Sequence, residues 1–314
     1  MKAIVLKDFG SVDNLEIKDI AMPEISADEV LVRVKAISIN PVDVKTRQGY
    51  VLADSLRDFD PIILGWDISG VIESTGKNVK NLAKGQNVFG MVNFVGHGKG
   101  YAEYVAVPAA HLAIMPENIS YAEAAASTLA ALTAWQAFTY YGKLKKGDKV
   151  LIHGASGGVG HFAVQIARHL GAYVIGTSSE KNKDFVFSLG AQEHIDYKNQ
   201  KFENELNNLD FVLETIGGAN FVKSVKTLRN KGTIVNLPAP ASEADKESAN
   251  EKELISCFFM GVFSSGTDMA KIAELLEAKI IKPYIYKVYA FNEMKEAHLE
   301  VESGTVKGKV IVEL

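Results

Sequence analysis

The chain has 314 residues, 47% hydrophobic and 23% charged, which is the balance of a globular protein and a length for about two domains. Lys and Arg total 34 against 38 Asp and Glu, a formal charge of −4, which leaves no basic face for nucleic acid and no polybasic arm for an anionic membrane. The single cysteine, Cys257, excludes an internal disulfide, a four-thiolate zinc lobe and a CxxC redox centre.

The opening MKAIVLKDFG lacks the apolar core of a signal peptide, and no later stretch is long and uncharged enough to span a bilayer. The expected location is cytoplasmic. Segments Lys2–Leu6, Glu29–Ile39, Ile68–Ser74, Asn87–Val92 and Tyr101–Val107 are β-branched or alternating, with Gly, Asn, Asp and Pro between them. They predict an antiparallel β module, closed or partly closed into a barrel. Ser120 and Glu123 form an S-x-x-E capping box before an Ala-rich helix, Tyr121–Ala126. A second predicted helix, Leu129–Tyr141, is apolar all round and should be buried.

From Asp148 strand and helix signals alternate. Strands are predicted at Lys149–His153, Ala172–Gly176, Glu193–Asp196, Asp210–Glu214 and Gly232–Leu237, with helices at Val159–Leu170, Lys181–Leu189 and Ala219–Leu228. Continuous apolar strands between amphipathic helices predict a parallel sheet covered on both faces, an α/β domain. Ala239–Glu253 is polar and acidic and reads as an exposed loop or a frayed helix start. The helix Asp268–Ala278, the segment Pro283–Ala290 and the strand Lys309–Glu313 are too few for a core of their own. They should pack back onto the first domain. The expected division is 1–120, completed by 267–314, around 121–266.

The strongest local signal is VLIHGASGGVGHFAVQIARHLGA, from Val150 to Ala172. A buried strand enters a glycine-rich turn that opens an amphipathic helix, and Ala155, Gly157 and Gly160 fill an A-x-G-x-x-G pattern. Gly157 lets the backbone approach a pyrophosphate, and Gly160 lets the helix sit close on its strand. The free N–H groups of the turn, Ser156, Gly157, Gly158, Val159 and Gly160, are the expected phosphate donors. The next strand ends in Thr177, Ser178 and Ser179, followed by Glu180, Lys181 and Lys183. An NAD enzyme places an acid at that tip for the ribose 2′-hydroxyl. Hydroxyls at Ser178 and Ser179 with lysines at 181 and 183 suit a 2′-phosphate instead, so the expected cofactor is NADPH.

The chain resembles the medium-chain dehydrogenase/reductase superfamily, and within it the zinc-independent quinone oxidoreductase branch. The resemblance rests on MKAIVLKDFG, ISINPVDVKTRQG (Ile37 to Gly49), LGWDISGVI (Leu64 to Ile72), LTAWQAF (Leu132 to Phe138), HGASGGVG (His153 to Gly160), LGAQEHIDY (Leu189 to Tyr197) and GTVKGKVIV (Gly304 to Val312). It implies a GroES-like β-barrel domain, completed by the C-terminus, with a Rossmann doubly wound parallel sheet domain. Zinc-dependent relatives hold their metal through Cys and His, one ligand in a G-H-E segment. Here that segment is Gly65-Trp66-Asp67, and Cys257 beside Phe258 and Phe259 reads as a buried apolar residue, so no metal is expected. His97, between Gly96 and Gly98, is the nearest candidate for a functional histidine and is more often a loop residue.

Without a metal, a quinone or an α,β-unsaturated carbonyl is the easier hydride acceptor, because its conjugated carbonyl spreads the incoming charge. The resemblance sets Asn40 beside the nicotinamide and Lys45 toward the substrate, where its ammonium can hydrogen-bond the carbonyl oxygen. It also assigns Thr133 to the nicotinamide pocket and Tyr197 to the adenosine phosphate. Gly217 and Gly218 follow the fourth parallel strand, where backbone must pass close to a cofactor. Phe94, Trp66, Tyr50 and Phe263 are candidate walls for a small hydrophobic carbonyl or quinone substrate. An enoyl-thioester reductase, or an NADPH-binding structural or sensor protein without turnover, are the competing readings. The apolar run Ile255–Val262 near the end of the parallel sheet predicts a homodimer.

Overall fold

The alternating segments of the N-terminal region form β1 (Lys2–Leu6), β2 (Leu15–Asp19), β3 (Glu29–Ile39), β4 (Asp67–Thr75), β5 (Asn87–Met91), β6 (Tyr104–Pro108) and β7 (Ala113–Ile114) in the computed structural model, which describes residues 1–257 and 259–314. The strand–helix region supplies β8 (Lys149–Ile152), β9 (Tyr173–Ser178), β10 (Glu193–Asp196), β11 (Leu209–Glu214), β12 (Leu228–Asn236) and β13 (Ile255–Cys257). Two more, β14 (Ile285–Ala290) and β15 (Lys309–Glu313), come from the C-terminal segment. The side chain of Cys257 and all of Phe258 lie outside the described residues, and with them the reading of Cys257 as buried.

The chain divides into two compact units, Met1–Leu132 with Phe263–Leu314, and Thr133–Val262. The composition break at residue 120 points to a boundary there, yet the first unit continues to Leu132. The reason is packing. Ala122, Ala125 and Ala126 of the helix Tyr121–Ala126 bury against Ala36 of β3 and Ile311 of β15. The Ser120–Glu123 capping box starts this helix, with the Glu123 N–H donating to Ser120 Oγ at 3.2 Å.

In the first unit β3 is the spine. Its residues Val30, Val32, Val34 and Ala36 point inward by the two-residue period and are buried. Along one edge it pairs antiparallel with β4; the other edge is shared, β6 pairing with Glu29–Arg33 and β15 with Ala36–Ile39. The C-terminal strand is therefore integral to this sheet, and β14 extends it in parallel beyond β15. This joining of Lys309–Glu313 to Glu29–Ile39 places the C-terminal residues beside the segment that starts at Asn40.

The second unit is a six-stranded parallel sheet of order β10-β9-β8-β11-β12-β13. Strand order reverses between β8 and β11, and the carboxyl ends of those two strands mark the switch point where such sheets bind ligands. Leu151, Ile175, Val212 and Ile234 from the sheet pack with Phe221 and Val225 of the helix Ala219–Thr227. Full burial of a side chain such as Phe221 contributes about 1.5–3 kcal/mol. The acidic stretch read as a loop or frayed helix start contains a helix, Glu243–Asn250, capped by Ser242, whose Oγ accepts the Asp245 N–H at 3.2 Å.

Candidate active site

In the second unit the turn after β8 is built for close backbone approach. A Cβ on Gly160 would come within 2.1 Å of the Gly154 carbonyl oxygen, so only glycine admits the helix Gly160–His169 at this distance. Gly176 on β9 is constrained in the same way, since a Cβ there would lie 2.9 Å from Ala155 Cβ. The turn folds on itself through the Gly157 N–H donating to Gly154 O at 2.8 Å, and the Ala155 N–H donating to Thr177 O at 2.9 Å. The N–H groups of Ser156, Gly158 and Val159 have no partner among the described residues. Such donors at the mouth of a helix suit phosphate oxygens.

The tip of β9 supplies the hydroxyls expected there, with different duties. Ser178 is buried, and its Oγ lies 2.8 Å from His194 Nε2 and donates to Ser179 O at 3.1 Å. Asn182 belongs to no motif in the sequence. Its Nδ2 donates to Ser156 Oγ at 3.0 Å and reaches Ser179 Oγ at 3.5 Å, so it joins the glycine turn to the β9 tip. Lys183 pairs with Glu180 at 3.2 Å at the surface, whereas Lys181 is exposed with no ion pair among the described residues. The Tyr197 ring is exposed, and its N–H donates to Ser178 O at 3.2 Å. Thr133 is buried on the helix Leu129–Gln136.

Across the switch point, Gly217 has φ +79°, and a Cβ there would meet Pro238 Cγ at 2.8 Å. Its turn is held by Glu214 at the end of β11. Oε1 accepts the Ile216 and Gly217 N–H groups at 2.7 and 3.0 Å, and Oε2 accepts from Asn220 Nδ2 at 2.8 Å and Ser224 Oγ at 2.7 Å. A carboxylate that accepts from four donors is fixed in place and committed to its own turn. The unpartnered N–H groups of the glycine turn, with Ser179 and the exposed Lys181 at the β9 tip and Glu180 paired with Lys183, fit a dinucleotide carrying a 2′-phosphate.

In the first unit Asn40 ends β3 and precedes Pro41, whose ring fixes φ at the first position of the helix Pro41–Arg47. The Asn40 N–H donates to Asp43 Oδ2 at 2.6 Å, one half of a capping box. The Asn40 side chain is buried. Its Nδ2 donates to Asp67 Oδ2 at 2.7 Å, and its Oδ1 accepts from the Lys309 ammonium. Lys309 also donates to Ile39 O at 3.2 Å, and Asp67 Oδ1 accepts the Leu129 N–H at 3.0 Å. Burial and then the Asp67 carboxylate push the Asp43 carboxyl up to about 7. Burial likewise raises Asp67 and lowers Lys309, against their mutual attraction. Lys45, on the same helix, is exposed and has no ion pair among the described residues.

Trp66 stands in the Gly65-Trp66-Asp67 segment, where the resemblance implies a histidine in zinc-dependent members. It is fully buried, donates its indole N–H to Gly96 O at 2.8 Å and meets Phe94 edge-on at 5.6 Å. An indole has no lone pair for a metal. Among the described residues no group of three or more His, Cys, Asp or Glu side chains is arranged to hold one. His97 accepts the Ile63 N–H on Nε2 at 3.0 Å and packs its ring 4.4 Å from Phe59; burial, then the Lys99 charge, pulls it down to about 4. It is thus a neutral loop-anchoring imidazole. Of the other aromatics, Tyr50 and Phe263 are exposed.

The polar residues that the sequence reading left without a role are Asp67, Lys309, Glu214, His153, Ser224 and Asn182. Glu214 and Lys309 carried a signal, a charge at the end of an apolar strand, in DFVLE and KVIV. Comparison with known proteins places this architecture. Residues 26–117 match the alcohol dehydrogenase GroES-like domain and residues 189–312 the zinc-binding dehydrogenase family. A 2-methylene-furan-3-one reductase of Solanum lycopersicum is 33% identical over 99% of this chain and 79% of its own. An NADPH-dependent alkenal/one oxidoreductase, chloroplastic, of Arabidopsis thaliana is 32% identical over 99% of this chain and 79% of its own. The solved quinone oxidoreductase from Coxiella burnetii superposes with a TM-score of 0.94 at 33% identity, covering 100% of this chain and 99% of that one.

Proposed function

This chain belongs to the medium-chain dehydrogenase/reductase superfamily, and on that premise we propose that it is an NADPH-dependent reductase of quinones and α,β-unsaturated carbonyl compounds. The observation that carries the reading is the cradle after β8, where unpartnered N–H groups of Ser156, Gly158 and Val159 lie one hydrogen-bonded residue, Asn182, from Ser179 and the lysines at 181 and 183. Ser156, Gly157, Gly158, Val159 and Gly160 hold the pyrophosphate. Ser179 and Lys181 take the 2′-phosphate, with Lys183 behind them, while Ser178 braces the β9 tip through His194. Tyr197 would lie near the adenosine phosphate and Thr133 in the nicotinamide pocket, and the Gly217 turn would let the backbone pass close to the cofactor.

When bound, NADPH supplies the hydride. Lys45 presents an uncommitted ammonium to the carbonyl oxygen of the acceptor and stabilises the negative charge that gathers there, an effect larger in the transition state than in the ground state. Asn40 fixes the root of the helix that carries Lys45. No metal takes part in this reading; Trp66 supports it by filling the ligand position with a group that cannot coordinate. The acceptor is a small hydrophobic carbonyl or quinone.

The exposed Ile255 on β13, the last strand of the sheet order, supports a homodimer formed by edge pairing. Light scattering at micromolar concentration that returned a monomer would remove that element. No helix among the described residues is long and apolar enough to cross a membrane. A cytoplasmic location is part of the reading; with a single cysteine the chain has no internal disulfide that calls for an oxidising compartment. The test is NADPH oxidation followed with p-benzoquinone, alkenals and methyl vinyl ketone, with NADH run in parallel. Turnover with NADPH on at least one acceptor class is expected. NADPH binding without oxidation across the panel would leave a binding protein and overturn the reading.

A further inference from the structure

Asn40 has its amide gripped at both ends by groups of opposite sign. The Lys309 ammonium can only donate, so it takes Oδ1; the Asp67 carboxylate can only accept, and it takes Nδ2 at 2.7 Å. Reversing the amide would set donor against donor and acceptor against acceptor, so its orientation is unique. The grip comes from two distant strands, Lys309 opening β15 and Asp67 opening β4, both buried to within a few per cent of full exclusion. Neither is spare. Lys309 is also tied to Ile39 O at 3.2 Å and Asp67 to the Leu129 N–H at 3.0 Å.

Burying an ammonium with two carboxylates is a poor way to gain stability, since apolar residues of similar volume usually do as well or better. What the arrangement provides is placement. Asn40 is the residue before Pro41, its N–H donates to Asp43 Oδ2 at 2.6 Å, and its carbonyl accepts the Asp43 and Val44 N–H groups at 3.0 and 3.3 Å. Three of the bonds that start the helix Pro41–Arg47 pass through this one residue, and Lys45 follows one turn later on its exposed side.

We propose that Lys309 and Asp67 are positioning residues for the reduction, clamping Asn40 so that the helix start, and with it the Lys45 ammonium, is held in one place. The proposal rests on the reading of Lys45 as the group that meets the acceptor oxygen. Misplacement of such a group by a change remote from the chemistry can cost about a hundredfold in rate.

The test replaces both charges at once, Asp67→Asn with Lys309→Met, so that neither is left stranded, and compares Asp67→Asn alone, which keeps the side-chain shape and Lys309 but has one oxygen in place of two to serve the Asn40 amide and the Leu129 N–H. The readouts are kcat with methyl vinyl ketone, NADPH affinity by fluorescence, and amide hydrogen exchange. A loss in kcat of about tenfold or more is expected, with NADPH affinity kept within about threefold and faster exchange confined to residues 40–47. A folded variant with kcat within about twofold of the parent overturns the proposal. So does exchange that rises throughout β3, β4 and β15, or failure of both variants to fold, either of which makes the cluster a folding element only. Lys45→Met is assayed beside them. If it keeps full activity, or if the parent reduces no acceptor, the functional reading fails, while exchange at residues 40–47 still decides whether the clamp exists.

Discussion

His153 Nε2 and Glu214 Oε2 lie 3.8 Å apart, with the Ser224 hydroxyl between them at 3.0 Å from the imidazole and 2.7 Å from the carboxylate. The other ring nitrogen, Nδ1, is 3.1 Å from Thr177 Oγ1, which also accepts the Gly154 N–H at 3.3 Å. One buried chain of polar groups thus runs from the Gly217 turn, through Glu214 and His153, to the glycine turn after β8. Ser224→Ala removes the bridge and leaves a buried carboxylate one donor short. Loss of a hydrogen bond to a charged group is worth roughly 1.5–3 kcal/mol, and that destabilisation is expected. Urea unfolding measures it as a lower midpoint at unchanged slope. An unmoved midpoint would show that His153 and Glu214 do not depend on the bridge.

The two lysines at the β9 tip differ in their commitments. Lys183 is drawn to Glu180 at 3.2 Å, while Lys181 faces solvent without an ion pair among the described residues. Lys181→Ala should therefore weaken NADPH more than Lys183→Ala does. A charge-assisted hydrogen bond to phosphate is worth about 1.5–3 kcal/mol, roughly tenfold to a hundredfold in affinity. NADH, with no 2′-phosphate, should be nearly unaffected. Titrations of both cofactors check this, and equal losses for NADPH and NADH would reduce the lysines to surface charge.

Asp43 and His298 give the first unit opposite responses to pH. Burial, then the Asp67 carboxylate, raises Asp43 from 3.8 to about 7, so the folded chain holds that proton more tightly than the unfolded one. The stability it confers is complete at about pH 4 and is lost as pH rises to about 7. His298 is 3.0 Å from the Tyr101 hydroxyl, and burial, then the Arg47 charge, lowers it from 6.5 to about 3. Its contribution is complete above about pH 6.5 and is lost as pH falls. Asp43→Asn, which imitates the protonated acid, should gain Tm relative to the parent as pH rises from about 4 to 7. His298→Gln, which cannot charge, should gain relative Tm as pH falls over the same range. Curves that run parallel to the parent would show that neither group titrates as its burial requires.

The parallel sheet and the glycine turn were open to reading because their signals are local. A buried strand must be apolar along its length, as Val150–Ile152 is, and Gly157 and Gly160 stand within one turn of each other. The helix Pro41–Arg47 was harder, because PVDVKTR has no apolar period and is defined by the Asn40–Asp43 capping bond. Glu243–Asn250 hid in an acidic stretch for the same reason; only Ala249 is buried, against the Phe221 cluster. The charge at Lys309 is visible beside its apolar strand, but local reading cannot pair it with Asn40 and Asp67. Lys309 is 269 positions from Asn40 and Asp67 is 27, and nothing in the neighbourhood of a lysine announces a partner from another strand.

Lys45 carries the chemical weight of the functional reading, and its surroundings sharpen the expected result. It is exposed and free of ion pairs among the described residues, so its ammonium is available for a substrate oxygen without first breaking a bond. Lys45→Met keeps most of the stem and removes the charge. Since the lysine acts on charge that appears only as hydride arrives, kcat should fall while NADPH affinity stays put. Loss of one such donor typically costs about 2.7–4 kcal/mol, or 10²–10³ in rate. A quinone accepts electrons more readily than an enone, so the loss should be smaller with p-benzoquinone than with methyl vinyl ketone. Steady-state assays of both acceptors, with fluorescence titration of NADPH, measure the split. Full kcat on the enone would remove Lys45 from the mechanism; equal losses on both acceptors, with weaker NADPH binding, would show a lysine that shapes the helix and leaves the oxygen to another donor.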